Sequence, residues 1–555
     1  MKARIGFLLV TLVFAAAVGF AAEGLPWWSS PWTESFRSAS TASLLEDDLD
    51  IMLDPARMPS LEGYRLYTQL SNIFDKNEEV FNHNLGNKNY YMLGGCGNLM
   101  GYGKLGLIYD RNMYRTNDTS RTNTSTITYS AAQIPVSRSV TDYTDYGGEQ
   151  RQDTHWWFGF GREFGFGKLG AVIYHQNSYE KVQPFSTENQ KVETQVNDLI
   201  NGRMESMSTT ENTRTNNIHD NTWGGALSFW RGLMDKLDVG LAVGLNAHTA
   251  NEYDTIIHTY DYSNPAATFG HVTAQRNETR DLIPHDHVGA EIDARVAAVW
   301  KWSENVNTRT DLTFSTLSGS RDDGAVAITY DSTESYTIPT GTWSYVRTEA
   351  TNAPVHQEDS YTSVGLFSKT TAKFGEKVEL AMGLGLSSHK RDYLTSYTGP
   401  FNRRNAFNDG DPALWTDYYE YYDATEDYSL TYTESQTNVY APVGLQFKIT
   451  DNFVFRLGAY HTFSYRDTTW NETDLQSNVR VMIVNPNTND TTQGVAYNPF
   501  TNTNAELEQG RHAWNETYYT YGAGWTISEN LQLDFMGFAA LDDMHNWKLS
   551  AVIKF

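Results

Sequence analysis

Glu291, Asp293 and Arg295 occupy every second position of a stretch whose alternate residues, Val288, Ala290, Ile292, Ala294, Val296, Ala298 and Trp300, are apolar. A period of two sends the two sets to opposite faces of a strand, so the three charges share a face with Lys301. The following stretch repeats the arrangement, with Leu312 and Phe314 on one side and Arg309 and Asp311 on the other. Asp110, Asp238, Glu379, Lys448, Arg456 and Asp534 fall on charged faces by the same parity. An Arg or Lys facing the middle of a bilayer would cost about 2–4 kcal/mol, so if the apolar faces meet lipid, these charges line an interior. Two chemistries then stand open. The charges form an electrostatic constriction that selects among small solutes, or they are cross-strand ion pairs holding the wall together, worth ~0.2–1 kcal/mol each.

Other candidates are weaker. Tyr418, Tyr419, Tyr421 and Tyr422 stand among Asp417, Glu420 and Asp423, and Asp142-Tyr143-Thr144-Asp145-Tyr146 is similar. Stacked tyrosines with carboxylates suit sugars, and aromatics equally suit the level where strands leave a membrane. His285-Asp286-His287 puts two imidazoles on one strand face without a third ligand nearby, which favours a solvated strand end over a metal site. Asn123-Thr124-Ser125, Asn277-Glu278-Thr279 and Asn471-Glu472-Thr473 match a glycosylation triplet that Asn- and Thr-rich segments produce by chance. Gly-x-Ser-x-Gly, His-Glu-x-x-His and the P-loop pattern do not occur, and nothing singles out His389 or His461. The expectation is a protein that is not an enzyme and needs no metal or other cofactor.

The elements that would position the inner charges are paired strands. Tight-turn sequences recur at Gly101-Tyr102-Gly103-Lys104, Phe164–Lys168, Leu233–Lys236, Ser303-Glu304-Asn305, Phe374–Lys377, Thr450-Asp451-Asn452 and Ser528-Glu529-Asn530. Gly, Asn and Asp supply the backbone geometry such turns require. Amphipathic strands flank them, such as Leu237, Val239, Leu241, Val243 and Leu245, or Val378, Leu380, Met382, Leu384 and Leu386. Between the hairpins lie long polar segments rich in Asn, Thr, Ser, Asp and Tyr, at about residues 116–151, 182–218, 260–285, 320–358, 397–429 and 468–509. Glycine is frequent on the polar strand faces, where a larger residue would crowd a lumen. The chain ends with Trp547, Leu549, Ala551, Ile553 and Phe555 on one face. A soluble protein would leave an apolar edge exposed there, whereas a closed barrel in lipid has no edge. These features predict an all-β fold, a transmembrane antiparallel up-and-down β-barrel over residues 62–555. About sixteen strands are expected (14–18), with short periplasmic turns and long extracellular loops.

Lys2 and Arg4 precede an apolar run from Ile5 to Val18, with Gly19 and Ala21 at peptidase positions, which predicts a secretory signal peptide over residues 1–21. No later stretch approaches the ~20 apolar residues of a spanning helix. Mean hydropathy is −0.52, as expected when strands show lipid only every second residue. The single cysteine, Cys96, forms no internal disulfide. A formal net charge of −25 argues against nucleic acid as a partner, and either enriches cations at a pore mouth or serves solubility as interspersed surface charge. Residues 22–61 differ from the rest. They carry Trp27, Trp28 and Trp32, then Leu44, Leu45, Leu49 and Met52 at helical spacing, stopped by Pro55. They are expected to form a plug or a periplasmic piece.

The tail closing on Phe555 resembles the C-terminal signature of Gram-negative outer-membrane barrels. That resemblance implies a multi-pass barrel in the cell outer membrane, contacting lipid and lipopolysaccharide. It also implies that Trp547, Leu549, Ile553 and Phe555 are read by the barrel-assembly machinery. Outward apolar positions serve lipid and neighbouring subunits alike, so a homotrimer stays open. Asp47-Asp48 followed by Asp54-Pro55-Ala56-Arg57-Met58 resembles the N-terminal hatch of the FadL family of hydrophobic-substrate transporters, with Asp54 where that family usually has Asn. Three functions follow as expectations. The first is a porin-like channel for passive diffusion of small hydrophilic solutes, favouring cations, with Glu291, Asp293, Arg295, Arg309, Asp311 and Arg456 as constriction candidates. The second is a FadL-like transporter with a hatch. The third is a barrel-anchored surface binding or adhesion protein.

Overall fold

A computed structural model describes residues 35–71, 89–129, 135–182, 185–194, 203–264, 272–282, 289–338, 341–408, 418–484, 495–496, 500–538 and 548–555. The expected signal peptide, Trp27, Trp28, Trp32, His285-Asp286-His287 and Trp547 lie outside the described residues.

The strands are β1 (Arg65–Ser71), β2 (Asn89–Asn98), β3 (Lys104–Tyr129), β4 (Pro135–Phe164), β5 (Gly167–Val182), β6 (Phe185–Thr194), β7 (Arg203–Met234), β8 (Leu237–Asn264), β9 (Val272–Leu282), β10 (Gly289–Lys301), β11 (Val306–Ile338), β12 (Gly341–Phe374), β13 (Val378–Asn408), β14 (Tyr418–Lys448), β15 (Phe453–Val484), β16 (Val495–Ala496), β17 (Phe500–Ser528), β18 (Leu531–Phe538) and β19 (Lys548–Lys554). Three of them, β6, β9 and β16, continue a neighbour across a short break, which leaves a barrel of 16 strands. Every pairing is antiparallel, and β1 bonds both β2 and β19, so the sheet closes on itself. All seven expected turn sequences connect adjacent strands.

Burial follows the alternation. On β10, Ile292 and Val296 are 49% and 44% exposed while Asp293 and Arg295 between them are 1% and 3% exposed. Apolar side chains such as Leu227, Leu245 and Leu384 form an outward band. At its lower rim Phe164, Phe166 and Phe229 stack in series, at 5.4 and 6.4 Å between ring centroids. Higher on the neighbouring strands Trp156 meets Trp223 edge to face at 5.4 Å. A lipid-facing band between two aromatic girdles is what a bilayer demands of a barrel. The protein is an outer-membrane barrel.

The long polar segments are extracellular but are not irregular loops. Most of their length continues the strands: β11 pairs β12 without interruption from the turn at residues 302–305 up to Ile338 opposite Gly341, except for one bulge between Arg321 and Gly324. Thr and Tyr are strong strand formers, and a partner is already in register. These tall hairpins pair side by side into a wall rising above the membrane. Among the described residues, Tyr114–Tyr129 of β3 pairs only with β4, and the upper part of β17, Phe500–Tyr519, pairs only with β15 and not with β18. Among the described residues the wall therefore has two edges without a further strand partner.

Candidate functional site

Residues 35–61 lie inside the barrel. The helix Asp48–Leu53 starts at Asp47, whose carboxylate accepts from the Leu49 N–H at 2.8 Å, while Asp50 accepts from the Asp47 N–H at 2.8 Å. Pro55 disfavours helix at the residue before it, and Asp54 is accordingly extended. Leu49, Met52 and Leu53 pack with Met58 and with wall residues Tyr67, Met92, Ile108, Trp157 and Val172 in one buried cluster. A shorter helix, Phe36–Ala39, is capped by Ser35. Ala42 and Ser43 then adopt left-handed backbone angles, φ 54° and 61°, a conformation that costs L-residues of order 1 kcal/mol each. The Thr41 hydroxyl donates to the Arg37 carbonyl at 2.7 Å and accepts from the Leu45 N–H at 3.2 Å across this bend. Leu44 and Leu45 emerge from it against Phe367, Tyr440 and Tyr460 of the wall.

Glycines on the wall make room for this segment. A Cβ at Gly161 would stand 2.0 Å from the Pro55 carbonyl oxygen, and one at Gly170 would stand 2.2 Å from the Ala56 nitrogen. The inner glycines that the sequence suggested would clear space for solute are, at these positions, filled by plug backbone.

Ion pairs complete the docking. Arg295 Nη2 donates to Asp54 Oδ2 at 2.6 Å, and Trp230 Nε1 donates to the same oxygen at 2.8 Å. Glu46 accepts from Arg57 at 2.6 Å, from Lys369 at 3.2 Å and from Arg309. Arg309 in turn forks onto Asp311 at 2.7 and 2.9 Å. The guanidinium groups of Arg57 and Arg309 both lie over the Trp230 ring, at 5.6 and 5.7 Å from its centroid. Arg37 reaches Glu379 and, at 3.1 Å, Gln446, and Asp48 pairs with Arg65 at 3.0 Å and Lys554 at 3.4 Å. On its periplasmic side the plug leaves a cavity of about 830 Å³, lined in part by Leu44, Glu46, Arg57, Trp230, Arg309 and Lys369.

The six charged residues singled out from the sequence all stand on the inner face, in three groups. Arg295 and Arg309 engage the plug, and Asp311 holds Arg309. Glu291 and Asp293 belong to a layer above it, where Glu291 accepts from Ser315 at 2.7 Å and Asn246 at 3.0 Å and meets His248 Nε2 at 2.8 Å, and Asp293 accepts from Asn246 at 2.8 Å. Arg456 pairs with Asp534 at 2.6 Å and Gln446 at 3.1 Å. The plug partners Glu46 and Asp54 and the polar residues Asn246 and His248 were not among the candidates. The acidic run Glu46-Asp47-Asp48 and the Asp54-Pro55 pair were the available signals. At the seam, Leu549 and Ile553 stand on the outward side of β19, while Ser550 and Val552 are buried inward. Phe555 is 72% exposed and exchanges two backbone hydrogen bonds with Tyr64.

No protein-family model and no curated protein sequence matches the chain. Among solved structures, the Ralstonia pickettii toluene transporter TbuX aligns over 94% of this chain and 99% of its own at 10% identity, with a TM-score of 0.29. The Pseudomonas putida toluene transporter TodX aligns over 77% and 98% at 9% identity, with a TM-score of 0.30. A Pseudomonas aeruginosa FadL homologue aligns over 97% and 100% at 10% identity, with a TM-score of 0.20. At such scores the likenesses transfer neither substrate nor mechanism, and the barrel rests on its own strand pairing.

Proposed function

We propose that the protein is a plugged outer-membrane transporter in which residues 35–61 act as a hatch that must shift for solute to pass. The observation that carries this reading is the docking of that segment across the lumen. Its buried carboxylate Asp54 is held by Arg295 and Trp230, and Glu46 by three cations, two of them from the wall. An open porin needs an unobstructed lumen, and here apolar and charged contacts fill it at plug height. The resemblance of Asp54-Pro55-Ala56 to the FadL hatch points the same way. A closed barrel with a ligand-responsive plug admits its substrate without leaking small ions.

Recording the mature protein in a planar bilayer beside a variant lacking residues 22–61 tests this. Silence from the full chain and steady conductance from the deletion are expected. Equal, large conductance from both would overturn the hatch and return the reading to a porin.

A further inference from the structure

Above the plug, the inner face of β12–β15 carries aromatic rings in register. Ladder pairing sets Val355, Tyr397, Tyr428 and Asp474 in one row across the four strands. Asp359, Tyr393, Tyr432 and Trp470 form the row four residues lower on β12 and β13. Tyr397 and Tyr428 stack at 4.9 Å with 16° between their planes, and Tyr432 meets Trp470 edge to face at 6.2 Å. At the foot, Tyr440 stacks on Phe367 at 5.8 Å and on Tyr460 at 5.7 Å, against Leu44 and Leu45 of the plug. At the top, Tyr422 lies inward under Arg403, 4.4 Å from the guanidinium carbon. The two upper rows stand well past the ~9–11 residues of a spanning strand, so their rings are not a membrane girdle.

Polar groups interleave with the rings. Glu426 accepts from Thr351 at 2.8 Å, and Arg391 forks onto Asp359 at 3.1 and 2.9 Å. Asp474 Oδ1 and Asn405 Oδ1 are buried acceptors with no hydrogen-bond donor among the described residues.

We infer that this face is a binding track for neutral oligosaccharides, leading from the extracellular rim to Leu44 and Leu45 of the plug. A pyranose ring has a flat C–H face that packs on an aromatic ring and a hydroxyl edge that donates to carboxylate and amide oxygens. A hydrocarbon would leave the buried acceptors Asp474 Oδ1 and Asn405 Oδ1 without a donor. Arg391, Arg403 and Arg466 alternate there with the carboxylates Asp359, Glu420 and Glu434, a mixed set of charges that suits a neutral ligand better than a cation or an anion. Successive rings at different heights suit a chain of sugars better than one compact ligand. The track goes beyond the transporter reading and rests on it only for what becomes of the ligand after binding.

Isothermal titration of the refolded full chain with maltohexaose, cellohexaose and xylohexaose, beside toluene and tetramethylammonium, tests the assignment. At least one oligosaccharide should bind, and Tyr397→Ala or Tyr428→Ala should weaken it about tenfold. Tyr465→Ala, on the outer face of β15, should leave it unchanged. Trp470→Leu, at a partly exposed position, gives the same readout if the tyrosine variants fail to fold. Binding of toluene or tetramethylammonium alone, of none of the probes, or of sugar equally to wild type and track variants would overturn the track. Sugar binding by a barrel that stays silent without residues 22–61 would remove the hatch reading and keep the track. A conducting deletion variant whose full-length parent ignores every sugar would do the reverse.

Discussion

Asp54 on the plug and Arg295 on the wall face each other across 2.6 Å, with side chains 2% and 4% exposed. They are 241 residues apart in sequence, and their pairing fixes the plug against β10. Breaking such a buried pair costs about 3–5 kcal/mol. Asp54→Ala and Arg295→Ala should each turn a silent barrel into a conducting one in planar bilayers. The double variant should be less disrupted than the sum of the two, because both changes remove the same ion pair.

Glu46 answers three cations, Arg57, Arg309 and Lys369. Glu46→Gln keeps the shape and removes the charge, leaving Arg309 its fork onto Asp311. A loss of roughly 1–3 kcal/mol is expected, smaller than for Asp54. Single-channel traces should show brief openings from a mostly closed level, where Asp54→Ala gives sustained ones.

The wall glycines offer a test that touches no charge. Gly161→Val and Gly170→Ala put carbon where the Pro55 and Ala56 backbone lies, so the plug must move by about an ångström or more. Both should conduct. Gly165→Ala, in a periplasmic turn with nothing within 4 Å of the added carbon, should remain silent, which separates plug displacement from general damage to β4 and β5.

The barrel was legible because its determinants are local. Period-two alternation, turn chemistry and the tail each act over a few residues, and even the inward sense of Asp293, Arg295, Arg309 and Asp311 followed from parity alone. What these charges do was not legible, since Arg295 and Arg309 meet a segment hundreds of residues away and Asp293 meets Asn246 of a neighbouring strand. Parity says that Arg295 points inward and is silent on whether it meets solute, Asp54 or water. The outer hairpins were read as loops because polar, Asn- and Thr-rich composition signals irregular backbone when no partner is known. Pairing of β11 with β12, and of each with its other neighbour, supplied the hydrogen bonds that composition could not reveal. The inner glycines misled for a related reason, as a missing side chain shows that something approaches and not what.

Acidification should tighten the outer wall. His356 is raised from its ordinary value by hydrogen bonds to Asp322 and Glu358, so its contribution is complete below the unfolded value and fades as pH rises through the folded one. Burial raises the Glu426 and Asp474 carboxyls, with Glu472 adding to the effect on Asp474. A raised carboxyl penalises the folded wall at neutral pH, and that penalty lifts as protonation proceeds downward through the raised value. All three groups therefore favour mild acid. Limited proteolysis of the extracellular hairpins should slow between about pH 8 and about pH 5, and His356→Asn should remove part of the change.

The seam joins Arg65 to Lys554 and Leu66 to Ile553, the first strand to the last. Most other pairs are between neighbours in sequence, and the tall hairpins are as local as strand pairing can be. Nearly every stave finds its partner in the adjoining stretch of chain, yet the cylinder cannot shut until its final seven-residue strand is in place. Until then β1 and β18 each present an unpaired edge, and unpaired edges seek other chains. Late closure thus becomes a hazard of assembly. The unassembled polypeptide must be kept apart from its own kind until the last stave is in hand, and a truncation of a few C-terminal residues would leave a curled sheet instead of a slightly smaller barrel.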